Sequence, residues 1–178
     1  MVGPEEVGPV SAPVNHSPDR RPVVVGVDGT PGSRAALAFA LEEGLARGVT
    51  VEVITTWLLG PALSDIAVPS TFEEEQAKAE RCQEAALAAV MPEEGRQPVV
   101  SRVVLHSYGG HALVDAAHDA ALLVVGSGRK RLLARALLGS VSEYCVRHAT
   151  VPVAVVPDPS RVEDDAPDEG LVPVATAG

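Results

Sequence analysis

Between Gly126 and Glu143 the chain reads GSGRKRLLARALLGSVSE, directly after the apolar run ALLVV. The stretch holds four cations, Arg129, Lys130, Arg131 and Arg135, and no acid before Glu143. The N–H groups of a helix's first turn are unpaired and carry partial positive charge, and a glycine in front lets an anion come close to them. Cations nearby add charge-assisted contacts. Two kinds of chemistry fit: a phosphate-binding loop that opens a helix, or a solvated basic connection between two elements. The loop G-x-x-x-x-G-K-[ST] is absent. GSGRKR puts Arg131 where a dinucleotide fingerprint needs its third glycine, and no acid closes the next strand. What remains is a longer spacing, with Gly126 ending a strand and Gly139-Ser140 opening a helix. Ser140 and Glu143 are expected to form a capping box there.

Other candidates are sparser. Asp28 follows an apolar run in VDGTPGS, which is also good Asx-turn chemistry. Thr56 and Trp57 close a second such run, where Trp57 either lines a mouth or covers the sheet edge. His111 and His118 lie roughly on one helical face, but a metal site needs more ligands, so they are expected on the surface. Ser140 and Ser142 have no evident base, and no Ser-His-Asp or Cys-His set is readable. Fast hydrolysis of a bound phosphate ester is therefore not expected, which leaves at most slow turnover or autophosphorylation. Cys82 and Cys145 show no metal or redox spacing and are expected to be buried free thiols.

The elements that must position these residues alternate. Runs over 22–28, 50–57, 98–106, 122–127 and 151–157 are short, apolar and β-branched, as in strands buried on both faces. Between them come helical segments. The first has Thr30 as N-cap, Pro31 in its first turn and Gly48 as C-cap, with Leu37, Leu41 and Leu45 on one face. The second follows a Ser70/Glu73 capping box and ends near Met91. The third carries Leu113, Ala116, Ala117 and Ala120 at helical spacing, and the fourth spans 140–148. Strict alternation predicts an α/β three-layer sandwich, Rossmann-like, with a five-stranded, mostly parallel sheet. Ligands in such sheets bind beyond the carboxyl ends of strands where strand order reverses. That directs attention to the segments leaving the first and fourth strands.

The 178 residues suit one domain at 22–157, with Pro- and Gly-rich 1–21 and acidic 158–178 expected to be disordered tails. The apolar fraction is 46% with 3% aromatics, so the core is aliphatic. A net charge of -10 argues against nucleic acid, whose phosphates need a basic surface. No apolar run reaches the roughly 20 residues of a membrane helix. The N-terminus shows neither a basic n-region nor an apolar h-region. The expectation is a cytoplasmic protein without nucleic-acid or membrane partners.

The chain resembles the universal stress protein family, and specifically its nucleotide-binding branch. The likeness rests on VVVGVDGTPGSRAALAFAL at the start, LLGSVSEYCVRHATVPVAVV at the end, and a glycine pattern matched by Gly126, Gly139, Ser140 and Val141. The second motif glycine is replaced by Arg129, with Gly128 one place earlier; Ala121 and Thr55 stand where the family often has an acid and a histidine. The resemblance implies binding of ATP, or of AMP, ADP or cyclic AMP, with Mg2+ accompanying ATP. It implies a site made of Gly26, Val27, Asp28, Thr56, Gly126, Gly128, Arg129, Gly139, Ser140, Val141 and Ser142. Asp28 would sit by the adenosine part, the Thr56 backbone by the adenine, and the glycine segment by phosphate and ribose. It further implies a stress-response regulator with an unidentified protein partner. The protein would form a homodimer through the last strand, along Val151, Val153, Ala154, Val155 and Val156, an apolar edge suited to pairing. A dimeric interaction module without nucleotide, a cyclic-AMP binder and a slow ATPase remain alternatives.

Overall fold

The computed structural model describes residues 20–58, 71–92, 95–128 and 138–159. Five runs of β-branched and apolar residues form one sheet: β1 (Val23–Gly26), β2 (Val51–Trp57), β3 (Val100–His106), β4 (Leu122–Gly126) and β5 (Val153–Val156). Every pairing is parallel and the order is β3-β2-β1-β4-β5. Helices α1 (Pro31–Arg47), α2 (Phe72–Val90), α3 (Gly109–Ala116) and α4 (Ser140–His148) make the crossovers. The expected three-layer α/β architecture is therefore found. The chain winds outward through β2 and β3 on one side and through β4 and β5 on the other, so strand order reverses between β1 and β4.

Because side chains alternate across a sheet, β1 feeds two cores. Val23 and Val25 join Val51, Val53, Leu122 and Val124 under α1 and α2, while Val24 joins Ile54, Leu123 and Val125 under α3 and α4. Val23, Val24 and Val25 are fully buried, each stabilising the fold by about 1.5–3 kcal/mol. Helix α1 reaches the sheet through a small-residue stripe, Ala36, Ala40 and Gly44, with Leu37 and Leu41 between them. A side chain on Gly44 would begin within 2.3 Å of Val51 Cγ2. Both expected caps of α1 are present: Thr30 Oγ1 accepts from Ser33 N–H, and Gly48 is left-handed at φ 66°.

Several boundaries differ from expectation. The capping box of α2 is Thr71/Glu74 and not Ser70/Glu73: the Glu74 carboxylate accepts from Thr71 N–H at 2.9 Å, and Thr71 Oγ1 accepts from Glu74 N–H at 3.2 Å. This register makes Phe72 the first helical residue and sets its ring edge-on to Trp57, with centroids 4.4 Å apart. Strand β5 starts at Val153, so Val151 precedes the edge and packs on the core beneath α3 and α4. Asp158, placed in the acidic tail by composition, is only 8% exposed and donates its N–H to Ser127 Oγ at 3.3 Å. Residues 1–19 and 160–178 of the two presumed tails lie outside the described residues. No helix among the described residues is long and apolar enough to cross a membrane.

One buried polar group was not anticipated. Gln83, on the inner face of α2, is 1% exposed. Its amide donates to Val53 O at 2.9 Å, Val103 O at 3.0 Å and Thr55 Oγ1 at 3.3 Å, and its oxygen accepts from Arg102 Nε at 3.3 Å. It ties α2 to two neighbouring strands at once. Gln83→Leu, similar in volume, is expected to destabilise the domain by about 2 kcal/mol through the unpaired acceptors; denaturant unfolding measures it. Cys145, on the buried face of α4, has its thiol pushed up from 9.0 to about 11 by burial. A thiol harder to ionise when folded costs stability as pH rises from 9.0 to about 11. That alkaline loss should shrink in Cys145→Ala in a pH series of melting curves.

Candidate functional site

At the carboxyl end of the sheet, over the junction of β1 and β4, lies a cleft of about 250 Å³. It is at the small end of the roughly 300–1,000 Å³ usual for ligand sites. Ten of the residues singled out by sequence line it: Gly26, Val27, Asp28, Thr56, Gly126, Gly128, Gly139, Ser140, Val141 and Ser142. Arg129 and the rest of the basic run lie outside the described residues. Thr30, Ser33, Ile54, Gly109, Leu113 and Val125 also line the cleft and were not anticipated there. Of these, Thr30 was recognised only as a cap. The doubled glycine at 109–110, shortly after β3, is the signal that could have marked Gly109.

Parallel strands with helical crossovers bring the amino ends of α1, α3 and α4 to this same edge, and residues from the first turn of each face the cleft. The floor is apolar, formed by Val27, Ile54, Leu113 and Val125. Its polar lining comes from two segments. After β1 stands Asp28, the only ionisable side chain among the described lining residues. After β4, Gly139 caps α4 without any side-chain bond, which leaves the first-turn N–H groups at 140–142 without helical partners.

The expected Ser140/Glu143 capping box is not formed. Gly139 takes the cap position because its backbone is extended, at φ -76° and ψ 163°. Glu143 N–H then bonds Gly139 O at 2.8 Å, which places Glu143 one residue too far along to reach back. Its carboxylate pairs with Arg147 at 2.8 Å. Ser142 supplies the local polar contact, its Oγ donating to Gly139 O at 2.9 Å.

The glycines do different jobs. Gly126 sits beneath the first turn of α1: a side chain there would begin 2.7 Å from Gly32 C, 2.8 Å from Gly32 O and 2.9 Å from Ser33 N. Gly128 is left-handed, at φ +86°, and the space for its side chain is occupied by Gly139 Cα at 2.8 Å. Gly139 N–H donates to Ser127 O at 2.8 Å. Gly128 and Gly139 thus leave no room for a side chain between them, and one backbone bond joins Gly139 to Ser127 beside them. The displaced glycine of the motif meets a conformational demand at 128.

Asp28 makes the Asx turn: Oδ1 accepts from Thr30 N–H at 3.0 Å and Thr30 Oγ1 at 2.7 Å. It also borders the cleft, so the turn and a lining position fall on the same residue. Thr56 lies opposite, its Oγ1 3.2 Å from where a side chain on Gly109 would begin. Trp57 does not line the cleft; it is buried against Phe72 and His106. Thr55 belongs to the Gln83 network. His111 Nδ1 meets Tyr144 OH at 2.9 Å, while His118 lies beside Asp119, so the histidines do not converge. No group of three metal-ligating side chains occurs among the described residues. Both cysteines are free, but only Cys145 is buried; Cys82 is half-buried under Gly29. Its thiol is pushed up by burial first and by the Asp28 carboxylate second.

Comparison with known proteins gives three results. The sequence profile of the universal stress protein family matches residues 19–157. A universal stress protein of Mycobacterium tuberculosis is 37% identical over 142 residues, covering 78% of this chain and 46% of its own length. The chain thus spans about half the length of the curated relatives it matches. Among solved structures, a universal stress protein from Archaeoglobus fulgidus has a TM-score of 0.59 at 25% identity, covering 76% of this chain and 98% of its own. A universal stress protein in complex with cAMP has a TM-score of 0.53, also at 25% identity, covering 78% of this chain and 98% of its own. The glycine contacts generate a test: Gly126→Ala meets three backbone atoms and is expected to cost about 2–4 kcal/mol, in the range of severe overpacking. Gly95→Ala, left-handed at φ +99° but facing open space, should cost about 1 kcal/mol. Paired denaturant melts compare them.

Proposed function

The chain belongs to the universal stress protein family, and from that premise we propose that its cleft binds an adenine nucleotide, ATP foremost. In this reading it is a member of the nucleotide-binding branch with a modified glycine motif. It acts as a homodimeric stress-response regulator whose nucleotide state alters binding to a protein partner. The observation that carries the reading is the polarity of the cleft. A nucleotide has a flat apolar body, hydroxyl and amine donors at one end and an anion at the other. The cleft offers an apolar floor, the acceptor Asp28 at one end and the α4 N–H donors at the other. Repulsion by Asp28 keeps phosphate off the wrong end, while the first turn of α4 attracts it. The cyclic-AMP complex of a relative 25% identical supports the same ligand class.

With Asp28 the only ionisable side chain among the described lining residues, Mg2+ accompanying ATP would be held by phosphate oxygens and water, as that ion prefers. Asp28 is bound into its turn and does not serve as a general base, so the reading is of a binding protein. The dimer would form along the β5 edge, where Val153, Ala154, Val155 and Val156 are all half-buried. Free cysteines suit the reducing cytoplasm, where we place the protein.

Calorimetric titration of nucleotide-stripped protein with ATP, AMP and cyclic AMP tests the reading. Micromolar binding is expected, reduced at least about tenfold in Gly139→Val. A side chain there would begin 3.1 Å from Gly128 Cα and would stand before the donors. Dimer mass on a sizing column should be unchanged in the variant. Affinity that ignores the substitution, or wild-type silence toward all three ligands, would sink the proposal in favour of a dimeric interaction module.

A further inference from the structure

Asp28 is held more tightly than a carboxylate beside a cleft requires. Its Oδ1 accepts from Thr30 Oγ1 at 2.7 Å and from Thr30 N–H at 3.0 Å, which uses both lone-pair sites of that oxygen. Thr30 Oγ1 itself accepts from Ser33 N–H at 3.1 Å, so its one proton is committed to Asp28. The turn beneath is pinned from three sides. Arg34 Nη1 donates to Gly29 O at 2.9 Å. Val27 N–H donates to Ile54 O at 2.8 Å. Cys82 Sγ fills the space below Gly29, 2.7 Å from where a side chain would start.

We infer that Thr30 is a positioning and specificity-determining residue that leaves Asp28 a single ligand-facing oxygen, Oδ2, so that this end of the cleft accepts a group with one donor. The inference rests on the nucleotide reading of the cleft. A carboxylate with both oxygens free grips two parallel donors side by side, as it does a guanidinium. The guanine edge, with a ring N–H next to an amino group, is such a pair of donors; the adenine amine offers one N–H on its own. With Oδ1 occupied, guanine would find one acceptor and keep one donor unpaired. A bond left unmade once the ligand covers Asp28 is what would separate the two bases. Thr30 thus sets the preference for adenine through the carboxylate it holds.

The test uses AMP and GMP titrations of nucleotide-stripped wild type, Thr30→Ser, Thr30→Val, Asp28→Ala and the Asp28→Ala/Thr30→Val double variant, with a melting curve for each. Wild type should favour AMP over GMP by about tenfold or more. Thr30→Val should weaken AMP about fivefold and draw the AMP-to-GMP ratio toward one, whereas Thr30→Ser restores both values. In the Asp28→Ala background, Thr30→Val should change neither affinity, since it acts through that carboxylate. An equal effect with and without Asp28, or an AMP-to-GMP ratio unmoved by Thr30→Val, overturns the inference while wild-type AMP binding leaves the nucleotide reading standing. Failure of wild type to bind either nucleotide overturns both.

Discussion

The first turn of α1 rests on bare backbone at the end of β4. Gly32 and Ser33 lie so close to Gly126 that no side chain fits between them, and much of the site follows from that contact. It sets the depth of α1 against the sheet, and with it the positions of Thr30, Ser33 and the Asp28 turn. It also brings the ends of β1 and β4 together under a single helix terminus, so that the cleft opens at the reversal of strand order. Asp158, whose chain leaves β5 over Gly32 and bonds Ser127, packs the far side of the same junction.

Among the described residues, the electrostatic character of the cleft follows from topology more than from charged side chains. Parallel strands joined by helices put the amino ends of α1, α3 and α4 on one side of the sheet, and those ends carry partial positive charge. Against that background a lone carboxylate defines direction: an anionic ligand has one favourable orientation. The donors at the start of α4 belong to a rigid helix whose cap uses no side chain, and the acceptor is locked by Thr30. Such a site is arranged before a ligand arrives, which lowers the ordering cost of binding.

Away from the cleft, the β2–β3 side is held by a different device. Gln83 bonds both strands from above, and Trp57, Phe72 and His106 cluster at their carboxyl ends. This edge supports the cleft indirectly through Thr56, which follows Thr55 of the Gln83 network along β2.

Much was legible in the sequence because it is written in local patterns. β-Branched runs marked all five strands, Thr30 and Gly48 bounded α1, and alternation implied the parallel sheet and its reversal point. Those patterns marked the edge where a site lies, and the family resemblance supplied the ten residues that line it. Local patterns misjudged the features with competing local answers: Ser70/Glu73 and Thr71/Glu74 are both good boxes, and Ser140/Glu143 looked like one. Only packing chose, by seating Phe72 against Trp57 and by giving Gly139 the extended cap. The reach of Gln83 between β2 and β3, the presence of Thr30 and Leu113 in the cleft, and the separate jobs of Gly126 and Gly128 were decided by tertiary structure alone. Each depends on a contact between segments distant in sequence, and one chain read by itself records no such contact. Composition and spacing thus determined the elements and the edge where a site must lie. The approach of α1 to β4 and of Gly128 to Gly139, so close that a side chain on Gly126 or Gly128 would begin within about 3 Å of the facing backbone, decided the shape of that site.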